Sequence, residues 1–389
     1  MSAIRKRRLR VAQSGIRGVP ANFGGSETAV QEIGSRLAAE GVEVVVYCRR
    51  HRYPGDDGRD YLGMRRVLLP SIPTFHLDTI SHSLLASLDL LLRNRADVVH
   101  FHGMGNALCL PLFFGSRKKT VITVDGPDWE RPKWGPVARA VLKLSARMAV
   151  RFADHLIIDN HPSIEYFARE FGYREGSYIP YGADREPPTG TDYVRSLGLE
   201  SRGYVLFVGA LVPDKGPDML LDAYRRVPGD MPLVVVGDSP FVADYRRGLH
   251  EAAARDPRVR MLGYVYDDRY RELLAHAYAY AHPLRADGTS PALLQAMGYG
   301  SCIVINSLPE ALSAVGDGAL PFAHNDAEDL ARKLHDVIED PALAEDLRRR
   351  AREHAEREYD WDTVAAQHRD VYEGVVASRN DGRRLLTLR

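Results

Sequence analysis

Short runs of β-branched and aromatic residues recur along the chain, and stretches with apolar positions at helical spacing separate them. In the first half the runs are RVAQSG, VEVVVYCRR, ADVVHFHG, TVITVDG, HLIIDN and GSYIPYG, and the first leads into the helical pattern GGSETAVQEIGSRLAAEG. Strands buried on both faces and joined through helices read this way, so the pattern predicts βαβ units and parallel sheet. A polar, turn-rich passage, YGADREPPTGTDYVRSLGLESRG, interrupts it. The alternation then restarts with YVLFVGALV, MPLVVVGD, RVRMLGYV, YAYAHPL and CIVINS. Two doubly wound α/β domains joined near residues 184–200 are the economical prediction. In such sheets ligands sit beyond the carboxyl ends of the strands, so the loops leaving the strands are where chemistry is expected.

Composition supports two ordinary cores: 389 residues, of which 45% are hydrophobic. Formal charge is zero, 52 basic against 52 acidic residues. No global field therefore recruits nucleic acid or a membrane, and such binding would have to come from a local patch. Cys48, Cys109 and Cys302 lie far apart without metal-ligand spacing, which fits buried thiols in a reducing compartment. The basic N-terminus lacks an apolar core, so it does not read as a signal peptide. Apolar stretches such as SLLASLDLLL and ALCLPLFFG fall short of the roughly 18 residues a membrane span needs. A cytoplasmic location is the expectation.

Three strand-end loops carry candidate chemistry. In SGIRGVPANFGGSETAVQEIG, Gly24 and Gly25 allow close backbone approach at a helix start, where free N–H groups favour an anion; the alternative is a plain turn with Ser26 capping the helix. In FVGALVPDKGPDMLL, Lys215, one of only seven lysines, sits near Gly209 and Gly216 and suits a phosphate, with a solvated turn lysine as the alternative. In RADGTSPALLQAMGYG, Ser290 and Pro291 open a short helix that Gly298 and Gly300 end; Gly288, Thr289 and Ser290 put backbone and hydroxyls at its positive end. The G-x-G-x-x-G fingerprint is missing from these loops, and HGMGNALC lacks its third glycine, which argues against a dinucleotide site. His100 and His102 share a strand face but lack a visible third ligand, so packing is preferred over a metal. Ser307 and Glu310 have capping-box spacing.

FGGSET, VGALVPDKG, LGYV (Leu262–Val265) and DGTSPALLQAMGYGSCIVINSLPEAL, in that order, resemble the family 4 glycosyltransferases, and GIRGVPANFGGSETAVQEIG with VDGPDWERPKWG is most similar to a bacterial rhamnosyltransferase-like subset. The resemblance runs over roughly residues 9–375. It implies a GT-B fold, two Rossmann-like domains facing across a cleft, with an acceptor-side domain over 1–188, a donor domain over 189–366 and a C-terminal helix and tail, 367–389, returning to the first domain. It implies retaining, metal-independent transfer of a hexose or deoxyhexose from a nucleotide-diphosphate sugar to a glycan or lipid-linked acceptor in surface polysaccharide synthesis, with no cofactor beyond that donor. By the same resemblance Lys215 contacts the diphosphate and Gly209 lies beside it. Gly288, Thr289 and Ser290 meet the phosphate and donor sugar, Gly24 and Gly25 approach the diphosphate or acceptor, and the backbone at Gly263 and Tyr264 meets the base.

Departures from the family pattern fall at three places. Ala210 stands where an arginine usually follows the strand glycine; Arg285 is a candidate replacement. Asp287 and Gln295 replace the usual pair of glutamates, of which the second accepts from the ribose. Asp125 replaces a frequent histidine and is the candidate acid on the first domain, for acceptor or donor sugar, with an Asx turn as the alternative. Exchanging glutamate for glutamine changes charge-assisted bonding by about 1–2 kcal/mol, a loss of affinity more than of function. Two functional classes therefore remain: an active transferase, and a nucleotide-sugar binding protein or partner subunit with weakened turnover. Arg139, Lys143, Arg147 and Arg151 recur at helical spacing in GPVARAVLKLSARMAVRFA, either as the solvated edge of a core helix or as a helix lying on the inner face of an anionic membrane. Oligomeric state is not legible.

Overall fold

The computed structural model describes residues 8–21, 24–74, 77–93, 95–130, 134–173, 175–239, 242–285 and 290–378. The chain divides into two compact units, Met1–Ile179 with Trp361–Arg389, and Pro180–Asp360. Both divisions come earlier than 188/189 and 366/367, and hydrogen bonds give the reason. Ala183 N donates to Tyr359 O (2.7 Å) and the Asp184 peptide groups are held by Gln295, which ties the segment after Ile179 into the second unit. Beyond Asp360, the helix Trp361–Ala377 returns its side chains to the first unit: Asp362 pairs with Arg36 (2.7 Å) and Tyr372 accepts from Gln13 (3.2 Å).

The first unit holds seven parallel strands: β1 (Arg10–Ser14), β2 (Glu43–Arg49), β3 (Arg65–Leu69), β4 (Val98–His102), β5 (Lys119–Val124), β6 (His155–Ile158) and β7 (Ser177–Tyr178), in the order β3-β2-β1-β4-β5-β6-β7. Its helices are α1 (Gly25–Ala39), α2 (Asp78–Leu92), α3 (Pro136–Phe152) and α4 (His161–Phe171), with a 3-10 segment, Met104–Phe113, after β4. The second unit holds β8 (Val205–Val208), β9 (Leu233–Val236), β10 (Val259–Gly263), β11 (Ala279–His282), β12 (Cys302–Asn306) and β13 (Leu320–Phe322), all parallel, in the order β10-β9-β8-β11-β12-β13. Its helices are α5 (Asp192–Ser196), α6 (Pro217–Tyr224), α7 (Ala243–Ala253), α8 (Asp267–Ala275), α9 (Pro291–Gly298), α10 (Pro309–Val315), α11 (Ala327–Glu339) and α12 (Pro341–Glu358); Trp361–Ala377 is α13.

Both sheets reverse their winding beside their first strand, between β1 and β4 and between β8 and β11, which is where an open α/β sheet leaves a crevice at its carboxyl end. The central strands are buried on both faces, as their continuous apolar runs require. Two strands escaped the hydrophobic pattern. β3 opens on two arginines, and buried Arg66 is satisfied by Asp56 at 2.7 Å together with the carbonyls of Arg59 and Val19; β13 has three residues with a proline at its centre. No described helix is long and apolar enough to cross a membrane.

Candidate functional site

In the second unit the carboxyl ends of β8, β9 and β10 are brought together by glycine backbone. A Cβ on Gly237 would lie 1.9 Å from Gly209 O, and Gly237 N donates to Gly263 O (2.8 Å). Gly209 and Gly263 are thus neighbours of one glycine contact, with Gly263 at φ +67°, a conformation that favours glycine. Tyr264, directly after β10, is exposed and stacks nearly parallel on Tyr266, centroids 5.8 Å apart.

Lys215 closes the 3-10 turn Pro213–Lys215 after β8, its N–H donating to Val212 O (3.0 Å). What fixes this turn is the next residue. Gly216 has φ +68°, and a Cβ there would come 2.1 Å from Pro283 O, so the turn lies hard against the chain leaving β11. Arg285 reinforces the junction: its N–H donates to Asp214 O (2.8 Å) and its Nη1 to Pro213 O (3.3 Å). The lysine turn and the β11 loop therefore form one hydrogen-bonded structure at the switch point.

Arg285 is not the replacement for the arginine missing at Ala210. Its guanidinium binds both oxygens of Asp218 on α6, at 2.8 and 2.9 Å, and Tyr245 donates to the same carboxylate at 2.5 Å. Burial works to raise the Asp218 pKa, but these two donors hold it below the usual carboxylate range. The guanidinium is committed to bracing the lysine turn. Nothing in the pattern separated Arg285 from the chain's other arginines; the carboxylate lies on another element and becomes its partner only through the fold.

Asp287, Gly288 and Thr289 lie outside the described residues. Ser290 occupies the N-cap of α9 with Pro291 at the first helical position, as the sequence predicts, but its hydroxyl makes no cap hydrogen bond. Gln295 is turned to a different use from ribose recognition. Its Oε1 accepts from Asp184 N (3.1 Å) and its Nε2 donates to Asp184 O (3.0 Å), so one amide satisfies both backbone groups of that residue. The partners fix the amide orientation, since one offers only a hydrogen and the other only an oxygen. Arg271 holds the Asp184 carboxylate at 2.9 Å, and a Cβ on Gly298 would come 2.4 Å from Asp184 O. Gln295 is thus part of the clamp that lays Asp184 across α9.

The first unit presents its own strand ends. α1 begins at Gly25, with Gly24 as N-cap in extended conformation, so Ser26 lies inside the first turn and does not cap. Glu27, 4% exposed, accepts from Arg17 N at 2.9 Å and fixes the loop that leads to the glycines. A Cβ on Gly24 would approach its Oε2 to 3.1 Å. Asp125 directly follows β5 and is half-buried, and its carbonyl accepts from Asn160 Nδ2 (3.0 Å). Asn160 also caps α4 through Ser163 N (2.8 Å). Asn before His-Pro-Ser is the sequence signal for that cap.

His100 and His102 do share a face, against α13. His100 Nδ1 meets Tyr372 Oη at 2.7 Å and its Nε2 meets Thr123 Oγ1 at 2.8 Å, while His102 Nε2 meets Gln13 Oε1 at 2.7 Å. Ser307 does not form the expected capping box: Leu308 is the N-cap of α10, and the serine hydroxyl donates to Phe322 O at 2.5 Å, joining β12 to β13.

Two parallel, doubly wound sheets, each with glycine-bearing loops at the carboxyl ends of its strands, are the architecture of the GT-B fold. Residues 23–186 match the model of Glycosyltransferase Family 4 and residues 191–354 that of Glycosyl transferases group 1, so a glycosyltransferase module covers most of each unit. The chain belongs with these family 4 and group 1 glycosyltransferases. It is similar to the gpi3 subunit of phosphatidylinositol N-acetylglucosaminyltransferase of Schizosaccharomyces pombe, 23% identical over 92% of this chain and 79% of that protein. Among solved structures it resembles sucrose-phosphate synthase of Thermosynechococcus elongatus (TM-score 0.83, 20% identity, 96% and 100% of the two chains) and Anabaena Alr3699/HepE in complex with UDP-glucose (TM-score 0.76, 19% identity, 94% and 99%).

Proposed function

We propose that the protein is a retaining glycosyltransferase of the rhamnosyltransferase-like subset. It moves a hexose or deoxyhexose from a nucleotide-diphosphate sugar to a glycan or lipid-linked acceptor in cell-surface polysaccharide synthesis, without a bound metal. The observation that carries this reading is the junction of the Lys215 turn with the β11 loop through Gly216, Pro283 and Arg285. It sets the turn that carries Lys215 against Pro283 and Arg285, between β11 and α9, and the first backbone N–H groups of α9 favour a phosphate.

In this reading Lys215 and the α9 start, with 288–290, hold the diphosphate, and the backbone at Gly263 and Tyr264 faces the base. The bond from the sugar's anomeric carbon to the diphosphate breaks as the bond to the acceptor oxygen forms. The departing diphosphate takes the acceptor's proton, so stabilising its charge is the main electrostatic contribution of the protein. Asp125 orients the acceptor hydroxyl or the donor sugar from the first unit, and Gly24 and Gly25 give close backbone access there. With Ala210 uncharged and Arg285 bound to Asp218, Lys215 carries more of the diphosphate's charge than it would beside an arginine.

Lys215→Ala should reduce affinity for the preferred nucleoside diphosphate by more than about tenfold, the equivalent of a lost charge-assisted contact. Calorimetry on the two proteins checks this, and equal affinities would refute the site. Turnover over a panel of nucleotide sugars separates the two functional classes: binding without transfer or donor hydrolysis would make the protein a binding subunit.

A further inference from the structure

The helix α2 is turned the wrong way for a helix that only packs on its own sheet. Its buried side carries His82, Ser83, Ala86, Ser87 and Leu90. Its outward side carries Ile80, Leu84, Leu85, Leu88 and, 80% exposed, Leu92. The small inner residues let the helix approach the sheet closely, with the hydroxyls satisfied locally: Ser83 donates to Asn106 Oδ1 (2.6 Å) and Ser87 to Ser83 O (2.7 Å). The leucines outside have no partner role in that packing.

The neighbouring elements continue the same surface. Ala86 of α2, Leu110 and Phe113 of the 3-10 segment, and Ala146 and Ala149 of α3 enter one core on one face of the first sheet, so the three elements form a single outer layer. On its outside the layer adds Leu112 and Phe114, then Val137, Val141 and Leu144 of α3. Its exposed charges are one-sided. Among the described residues from Leu77 to Phe152, Arg93, Arg95, Arg117, Arg139, Lys143 and Arg147 are exposed, against Glu130 as the one exposed acid. The whole chain, by contrast, has zero formal charge.

We propose that this layer, α2 with the segment after β4 and α3, docks the protein on the surface of an anionic lipid bilayer. Leucine and phenylalanine side chains enter the headgroup and acyl boundary, and the arginines and lysine at the margin meet the lipid phosphates. A contiguous apolar surface with a basic margin suits this partner better than two others. A nucleic acid would take the charges and leave the leucines in water. A second copy meeting the same face across a twofold axis would set like charges against like. The proposal stands on the surface alone and does not depend on transfer.

The test is sedimentation of the full-length protein with vesicles of phosphatidylcholine alone and of equal parts phosphatidylcholine and phosphatidylglycerol. Binding to the anionic vesicles is expected, weakened by salt at about 0.5 M. Leu84→Glu with Leu88→Glu should lose at least about tenfold in partitioning, and so should the triple reversal Arg139→Glu, Lys143→Glu, Arg147→Glu. The second variant touches no core residue and carries the test should the first lower stability. Equal binding to both vesicle types, or variants that bind as the parent does, would overturn the proposal. So would light scattering that shows a dimer without lipid which Leu84→Glu with Leu88→Glu converts to monomer.

Discussion

A carboxylate at position 295 would meet the Asp184 carbonyl with a second oxygen, whereas the glutamine amide meets it with an N–H. The residue that departs from the family's usual glutamate is therefore the one that can bind both backbone groups of Asp184. Gln295→Glu should lower stability by about 1–2 kcal/mol, the cost of one lost bond and one oxygen facing another. Urea denaturation at neutral pH measures this; a variant as stable as the parent would mean that the clamp contributes nothing. Gly216 meets a harder limit, because its φ of +68° and the 2.1 Å approach to Pro283 O act together. Gly216→Ala should cost at least about 2 kcal/mol and weaken nucleoside diphosphate binding, since the Lys215 turn has to move off the β11 loop. A variant with parental melting temperature and parental affinity would count against that account of the site.

Elements were legible in the sequence wherever a local pattern decides them. The runs VEVVVYC and VLFV became β2 and β8, and Ser290-Pro291 through Gly298 became α9, because burial on both faces and helix-end chemistry are written in consecutive residues. Orientation was not written there. SLLASLDLLL reads as an apolar stretch, and only the fold shows that Ser83, Ser87 and Leu90 face inward while Leu84, Leu85, Leu88 and Leu92 face outward, with Asn106 supplying the acceptor for Ser83. The capping box at Ser307 failed for the same reason: Phe322 O, from the adjacent strand, competes for the hydroxyl. At the candidate site, the glycines and Lys215 announced themselves by type and spacing. The bonds of Arg285 with Asp218 and of Gln295 with Asp184 join residues 67 and 111 positions apart, and no local pattern contains them.

At the scale of the whole molecule, α13 follows the second unit along the chain yet belongs to the first, and it packs there beside buried histidines. His368 of α13 and His100 and His102 of β4 lie together, with ring centroids 4.1 Å apart for the β4 pair and 5.8 Å for His100 with His368. Tyr372 and Thr123 partner His100, Gln13 partners His102, and His368 Nδ1 meets Val364 O at 2.8 Å. Burial pushes all three pKa values down, and mutual repulsion adds to this for His100 and His102; His102 falls to about 3 and His368 to about 4. Unfolded histidine titrates near 6.5, so below that pH the unfolded chain takes up protons that the folded one refuses. Their contribution to stability is complete above about pH 6.5 and drains away as pH falls toward the folded values, each ring costing up to about 1.4 kcal/mol per pH unit. His82, on the buried side of α2 and at about 4 through burial, adds to the same trend in the same unit. All three tryptophans, Trp129, Trp134 and Trp361, belong to this unit, so their fluorescence reports its unfolding selectively. The urea midpoint followed by tryptophan should fall between pH 7 and pH 5, and His368→Gln, which removes one titrating ring, should flatten that fall. A midpoint constant over this range, or a slope unchanged in His368→Gln, would show that the histidine cluster does not couple α13 to the stability of the first unit.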